Sequence, residues 1–281
     1  MSKKVLVFGS NGMLGTYLSS LLEERGYEVI RNDKATGGID ITDEQEVRDT
    51  IYESAVEYVI NCAAYTNVNK AESNKELAFK VNADAPKYMA KTCKEIGIPF
   101  VHVSTDYVFG ENRKEGYTEE YENFKPLSVY GESKLKGEFN VLEENVNSYI
   151  FRTSWLFGPN ATNFIDKISK YARENDELKV VTDEVGCPTY VRDLSEGIGM
   201  AVEGRIEPSI YHLCSKDHLS RYEFAKEILH IQEIGTPIRK CKLEDFGRDA
   251  QVPHYSVLLN TKLPEGRGYR EMLRDYFSEK E

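Results

Sequence analysis

A chain of 281 residues with 36 basic and 47 acidic side chains carries a net charge of −11, which disfavours nucleic acid and anionic membrane as partners and leaves only a local basic pocket for a phosphate. With 40% apolar and 30% charged residues it has the composition of a globular protein, and no apolar run approaches the roughly 20 residues that span a bilayer. Five scattered cysteines without a C-x-x-C pair and five dispersed histidines suit a reduced, cytoplasmic protein and form no metal-binding pattern, so metal catalysis is not expected.

Lys4 to Phe8 opens the chain as a continuous apolar run, suited to a strand buried on both faces of a parallel sheet. It leads into G-S-N-G-M-L-G (Gly9 to Gly15), and a helix is expected from Tyr17 to Arg25. Strand, glycine turn and helix form the setting of a dinucleotide fingerprint, because glycines let backbone approach a pyrophosphate at a helix N-terminus. The spacing is G-x-x-G-x-x-G rather than G-x-G-x-x-G, and a tight turn accounts for a lone triad equally well. A second strand, Glu28 to Arg31, leads to Asp33, eighteen positions after Gly15 and placed to hold an adenosine ribose hydroxyl. Arg31 and Lys34 flank it and suit a 2′-phosphate instead, so the choice between NADPH and NADH stays open. Asp40 to Asp43 offers a turn and an N-cap for a helix over Glu44 to Ser54.

A third strand, Tyr58 to Cys62, is followed by Ala63 and Ala64, small enough to let a flat cofactor come close. A long helix is expected next, with Asn82 inside its apolar pattern, an amide that needs a partner. The fourth strand, Phe100 to Val103, ends in Ser104 and Thr105. After it P-L-S-V-Y-G-E-S-K (Pro126 to Lys134) reads as a helix with Tyr130 and Lys134 four positions apart, on one face. A free phenol has a pKa of about 10, and a neighbouring ammonium stabilises the phenolate, so the pair suits a proton donor near neutrality. By itself such a pair is a packed ring and a solvated charge; what adds weight is Thr105, a hydroxyl that can hold a carbonyl oxygen against the phenol. Alternating strands and helices imply an α/β fold, a doubly wound parallel sheet of the Rossmann kind. Its ligand belongs beyond the carboxyl ends of the strands, where Gly9, Ala63 and Thr105 fall.

Beyond the strand Tyr149 to Arg152 the alternation loosens. Helices are expected over Asn163 to Asn175, Val191 to Val202 and Ser220 to Ile231, the last with a Ser220/Glu223 capping box. Strands are expected over Lys179 to Thr182 and Ser209 to Leu213. Pro237, Pro253 and Pro264 suggest that loops dominate the remainder, and Ser278 to Glu281 are expected to fray. The chain thus divides into a dinucleotide-binding region, residues 1–155, and a smaller, predominantly substrate-binding C-terminal lobe, residues 156–281, interleaved with the first.

The motifs G-S-N-G-M-L-G, N-C-A-A-Y-T-N-V-N-K-A-E (Asn61 to Glu72), V-N-A-D-A-P (Val81 to Pro86), S-T-D-Y-V-F-G (Ser104 to Gly110), V-Y-G-E-S-K (Val129 to Lys134), F-R-T-S-W-L-F-G (Phe151 to Gly158) and G-C-P-T-Y-V-R-D-L (Gly186 to Leu194) stand in order along the first 200 residues or so. Together they resemble the extended short-chain dehydrogenase/reductase superfamily and, within it, the dTDP-4-dehydrorhamnose reductase family. The resemblance implies that Thr105, Tyr130 and Lys134 are the catalytic set. It implies a cofactor, NADPH with NADH as the alternative, lined by Gly9, Asn11, Gly12, Met13, Leu14, Gly15, Asp33, Lys34, Asp40, Ile41, Ala63, Ala64, Tyr65, Asn82, Tyr130 and Lys134. Val68, Thr105, Asp106, Tyr107 and Trp155 would line the sugar pocket. The implied reaction is reduction of the C4 ketone of a nucleotide-linked deoxysugar, with dTDP-4-dehydro-L-rhamnose going to dTDP-L-rhamnose as the favoured case; a homodimer is left open.

Two departures stand out. Relatives tend to read V-D-K-A-E where this chain has Asn69, and R-P-x-Y-S where it has Val252-Pro253-His254-Tyr255-Ser256; if that arginine serves the nucleotide's phosphates, either another cation such as Arg248 replaces it or the substrate differs. The rival readings are a nucleotide-sugar epimerase on the same scaffold and a non-catalytic NADP-binding regulatory subunit, like the beta subunit of methionine adenosyltransferase. A sugar dehydratase is disfavoured, because those enzymes place Asp-Glu after the threonine and here Asp106 is followed by Tyr107. An epimerase turns over with catalytic cofactor, a reductase consumes NAD(P)H stoichiometrically, and a regulatory subunit consumes none.

Overall fold

Val5, Leu6, Val7 and Phe8 are each 0% exposed, which places their strand at the centre of a sheet covered on both faces. The structure, a computed structural model, describes residues 3–279. In chain order the first half runs β1 (Lys4–Phe8), α1 (Met13–Glu24), β2 (Glu28–Asn32), α2 (Glu44–Ser54), β3 (Tyr58–Asn61), α3 (Val68–Ser73), α4 (Lys75–Phe79), α5 (Ala85–Ile96), β4 (Phe100–Thr105), α6 (Val129–Glu144) and β5 (Ser148–Thr153). It continues with β6 (Leu156–Phe157), α7 (Phe164–Glu174), β7 (Leu178–Val181), β8 (Val185–Gly186), β9 (Thr189–Tyr190), α8 (Val191–Val202), β10 (Ile210–His212), β11 (Leu219–Ser220), α9 (Arg221–Ile231), β12 (Ile238–Cys241) and α10 (Tyr269–Ser278).

The main sheet has six strands, all parallel, in the order β2-β1-β3-β4-β5-β10. The doubly wound parallel sheet expected from the sequence is therefore present. From β1 the chain goes out to β2, then returns across β1 to β3 and continues the other way. That reversal leaves a crevice at the carboxyl ends of β1 and β3, where an open α/β sheet takes its ligand. The late strand β10 pairs with β5, so the second half of the chain contributes to the same sheet. Outside it stand three two-stranded pairs, β6 with β9, β7 with β12 and β8 with β11.

Leu14, Leu18 and Leu22 recur every fourth residue on α1 and are buried in the largest apolar core, which also holds Ile198, Ala201 and Val202 of α8. Each leucine buried there contributes about 1.5–3 kcal/mol. The core thus joins α1 to an element more than 170 residues later, and this fixes the end of α1 that faces the crevice.

Several elements differ from their expected form. Helix α1 begins at Met13, because Gly12 is already its extended N-cap. The long helix expected after β3 is instead α3, α4, a π-helical turn over Lys80–Asp84, and α5. Pro86 has no N–H to give Asn82 O, and loss of that bond suits a widened turn. The C-terminal stretch is less loop-rich than expected, with β12 paired to β7 and α10 burying Tyr269, Met272, Leu273 and Tyr276. Nor does Glu279 fray: its carboxylate accepts hydrogen bonds from Tyr190 Oη at 2.5 Å and Tyr17 Oη at 3.5 Å. Lys280 and Glu281 lie outside the described residues.

Candidate active site

The glycine turn is built for close approach. Gly9 has φ +72°, and a Cβ there would lie 2.5 Å from Ala63 N; a Cβ at Gly15 would lie 2.1 Å from Gly9 O. Only glycine fits either place. Helix α1 opens without a side-chain cap and without an acidic residue in its first turn. Ser10 Oγ is buried with no hydrogen-bond partner. Uncapped N–H groups and an orphaned hydroxyl beside a glycine turn fit the pyrophosphate of a dinucleotide. At the end of β2 the Asp33 carboxylate accepts from Ala35 N at 2.9 Å and Asn11 N at 3.2 Å. Both flanking cations already have carboxylate partners: Arg31 pairs with Glu23 at 2.8 Å, and Lys34, largely exposed, pairs with Asp40. Hydrogen bonds from Lys34 and Thr42 hold Asp40 down at about 2.

The second constellation sits on α6 and the end of β4. Ser128 caps α6 by accepting from Gly131 N, and Glu72 of α3 accepts from Val129 N at 2.9 Å. The N-V-N-K-A-E motif thereby supplies a carboxylate at the N-terminus of the helix that presents Tyr130 and Lys134, a favourable place for negative charge. Asn82, in the π-helical turn, accepts from Tyr65 N at 2.8 Å and donates to Tyr65 O at 3.1 Å and Ser133 Oγ at 3.0 Å. It clamps the loop after β3 to α6.

Thr105 Oγ1 donates to Asp106 Oδ1 at 3.0 Å and accepts from Tyr107 N at 3.2 Å. Burial pushes the Tyr130 phenol up to about 12, and hydrogen bonding with Thr105 acts against that rise. This differs from the tuned, low phenol expected from the sequence. The reason is geometric: Lys134 Nζ donates to Val103 O at 2.6 Å and lies 3.3 Å from His102 Nε2. Burial lowers Lys134 itself to about 8, opposed by the Glu138 charge. Asp106, 2% exposed, is raised by burial to about 7, while hydroxyl donors Ser256 (2.5 Å) and Thr105 oppose the rise.

One cleft of about 710 Å³ joins the two constellations. It is lined by Gly9, Gly12, Met13, Leu14, Gly15, Asp33, Ala63, Ala64, Val68, Thr105, Asp106, Tyr107, Tyr130, Lys134 and Trp155 among the residues singled out from the sequence. Asn11, Lys34, Asp40, Ile41, Tyr65 and Asn82 do not line it: Asn11 binds Thr36 Oγ1, Ile41 packs on the core around Phe8, and Tyr65 on that around Ala71 and Val129. Arg221 was not picked out, yet it lines the cleft and its guanidinium lies 3.6 Å over the Trp155 ring. Buried Glu184 holds it at 2.9 Å and also accepts from Arg248 at 3.3 Å. Trp155 takes a left-handed backbone, φ 45°, directly after Ser154, another cleft residue. Asn69, at the first departure, accepts from Ala250 N at 3.4 Å, and Ser256, in the second, binds Asp106.

A glycine cradle at one end of a cleft, with a threonine and a Tyr–Lys helix pair at the other, is the layout of the short-chain dehydrogenase/reductases. This chain is an NAD(P)H-dependent oxidoreductase of that class. Within it the chain belongs to the family described as the RmlD substrate binding domain, which it matches over residues 3–279. It is 36% identical to the spore coat polysaccharide biosynthesis protein SpsK of Bacillus subtilis (strain 168), over 99% of this chain and 98% of that protein. It is 34% identical to the dTDP-4-dehydrorhamnose reductase of Mycolicibacterium smegmatis, over 98% of this chain and 85% of the other. The dTDP-4-dehydrorhamnose reductase of Bacillus anthracis, solved in complex with NADP, superposes with a TM-score of 0.94 at 33% identity, covering 99% of this chain and 100% of that one. No helix among the described residues is long and apolar enough to cross a membrane.

Proposed function

We propose that this chain reduces the C4 ketone of a dTDP-linked deoxysugar, dTDP-4-dehydro-L-rhamnose, to give dTDP-L-rhamnose. The observation that carries this is the single cleft running from the glycine turn to Thr105, Tyr130 and Lys134, with an aromatic and cationic wall opposite. The bound nicotinamide dinucleotide supplies the hydride. Thr105 Oγ1 orients the carbonyl oxygen, and Tyr130 gives its phenolic proton to the oxygen as negative charge develops there. Lys134, donating to Val103 O, brings its amine to the wall of the same cleft as the phenol. Val68, Tyr107 and Trp155 shape the sugar pocket, and Asp106, tied to Thr105 and Ser256, faces its hydroxyls. Residues beyond 156 supply the far wall, Arg221 above all. Five unpaired cysteines suit the reducing cytoplasm, the compartment we propose.

With purified dTDP-4-dehydro-L-rhamnose, the nicotinamide absorbance of NADPH should fall in step with product, and the same assay with NADH measures cofactor preference. No loss of absorbance would remove this substrate; turnover with only catalytic cofactor would mean an epimerase.

Arg221 gives a sharper check. A charge-assisted hydrogen bond to a substrate diphosphate contributes about 1.5–3 kcal/mol. Arg221→Gln should therefore raise KM for the nucleotide sugar by roughly 10–100-fold and leave NADPH affinity unchanged. Parallel loss of both ligands together with a lower melting temperature would show that Arg221 merely braces Glu184 and Trp155.

A further inference from the structure

Asn61, His102 and Lys134 form a hydrogen-bonded chain behind the cleft wall, and its donors and acceptors can be counted. Ala63 N donates to Asn61 Oδ1 at 3.0 Å, so the Asn61 amide turns its NH2 toward His102 Nδ1, 3.3 Å away. A ring nitrogen that faces an NH2 is the bare one, and a neutral imidazole then carries its proton on the other nitrogen. His102 is neutral: it is 1% exposed, and burial together with the Lys134 charge holds it well below its ordinary pKa. Its Nε2–H therefore points at Lys134 Nζ, 3.3 Å away. An uncharged amine accepts that hydrogen on its lone pair, whereas an ammonium offers no acceptor. Charging Lys134 sets donor against donor at Nε2, or at Nδ1 against Asn61 if the tautomer changes. Relief by turning the Asn61 amide would set its NH2 against Ala63 N–H.

We propose that Asn61 and His102, neither of which lines the cleft, are positioning residues that set the protonation state of Lys134 and keep its amine ready to give up a proton. This rests on the role given to Lys134 above and extends it to two side chains that do not meet the substrate. Cys62, after β3, is pushed by burial up to about 12 and is an uncharged thiol. Tyr130, one turn earlier on α6, keeps its proton. Glu138, one turn later and paired with Arg152 of β5, is the charge that favours the ammonium. Burial opposes it and lowers Lys134 to about 8; in this proposal the His102 contact acts in the same direction.

Nitrogen-15 NMR of histidine-labelled, cofactor-free protein reads which imidazole nitrogen holds the proton. The His102 signal, identified by its absence from His102→Phe, should show Nε2 protonated; protonation at Nδ1 overturns the proposal. If that variant fails to fold, substitutions at His212, His218, His230 and His254 assign the remaining signals and leave His102 by elimination. The folded variant gives a second readout, the pH profile of turnover. Without Nε2–H the uncharged amine loses its support, Lys134 keeps its proton to higher pH, and the alkaline limb should move up by about one unit, a tenfold change in proton affinity. Were His102 instead an acceptor from the ammonium, the limb would move down, and a packing role alone would leave it in place; either result overturns the proposal. The tautomer is read without any ketosugar, so failure of the proposed reaction stays distinct from failure of this inference.

Discussion

Replacing Tyr130 with Phe should lower turnover by roughly 10²–10⁴, the usual loss on removing a general acid, while leaving dinucleotide affinity near normal. The substitution removes one oxygen and keeps a ring that packs edge-on against Tyr107, with centroids 5.7 Å apart. The turn from Gly9 to Gly15, proposed above for the pyrophosphate of the cofactor, lines the same cleft on a different element. Binding and chemistry should therefore separate, and titration of NADPH beside a single-turnover measurement reads both. The sign of the pH dependence follows from the two groups on α6. A general acid works protonated, and a phenol raised to about 12 stays protonated through the neutral range. Lys134, lowered to about 8, is the group that changes charge, so activity that needs its ammonium should fall as pH rises through that value. Near-normal turnover in the Tyr130→Phe enzyme would end the proton-donor assignment.

How far the sequence reached depends on how local each signal was. The run Lys4 to Phe8, the glycine turn and the helix carrying Tyr130 and Lys134 specify their own geometry, through burial on both sheet faces, close backbone approach and a helix cap; the first two have the form expected, and the helix expected from Pro126 starts at Val129 because Ser128 caps it. His102, one of the dispersed histidines, carried no signal of its own, because its meaning depends on Asn61, forty-one positions away, and on Lys134, thirty-two away on another element. Arg221 carried no local signal. It is the first residue of α9, after the Ser220 cap, and only the tertiary fold stacks it on Trp155 and ties it to Glu184. Helix α10 has apolar residues at helical spacing, Tyr269, Met272, Leu273 and Tyr276, yet the prolines and glycines before it hid the pattern. The phenol shows a different limit. Spacing put the lysine on the same helix face as the tyrosine, but which acceptor its ammonium reaches was set by the end of β4.

One turn beyond Lys134 on α6 lies the interaction whose loss should cost the most stability. Arg152 is 0% exposed, and its guanidinium donates to Glu138 at 2.6 Å and 2.9 Å. It also lies over the rings of Phe124 and Phe109, 5.0 Å and 5.2 Å from their centroids. Ser104 Oγ donates to Glu138 Oε1 at 2.5 Å, which ties the pair to the strand carrying Thr105. On its far side Arg152 Nη1 lies 3.4 Å from His212 Nε2, and His212 is held neutral, at about 4, chiefly by burial. Arg152→Met fills much of the same space but leaves Glu138 a buried carboxylate without its cation. The expected cost is about 3–5 kcal/mol, seen as a lower denaturant midpoint. Because two buried charges lose as much hydration as their attraction returns, the double variant Arg152→Met with Glu138→Leu should recover most of that loss. Glu138 also favours the Lys134 ammonium, so the double variant, though folded, should lose activity at lower pH than the wild type. A double variant that loses as much as the Arg152→Met and Glu138→Leu single variants combined would show that the two side chains act independently, and an unmoved pH limb would separate Glu138 from the chemistry at Lys134.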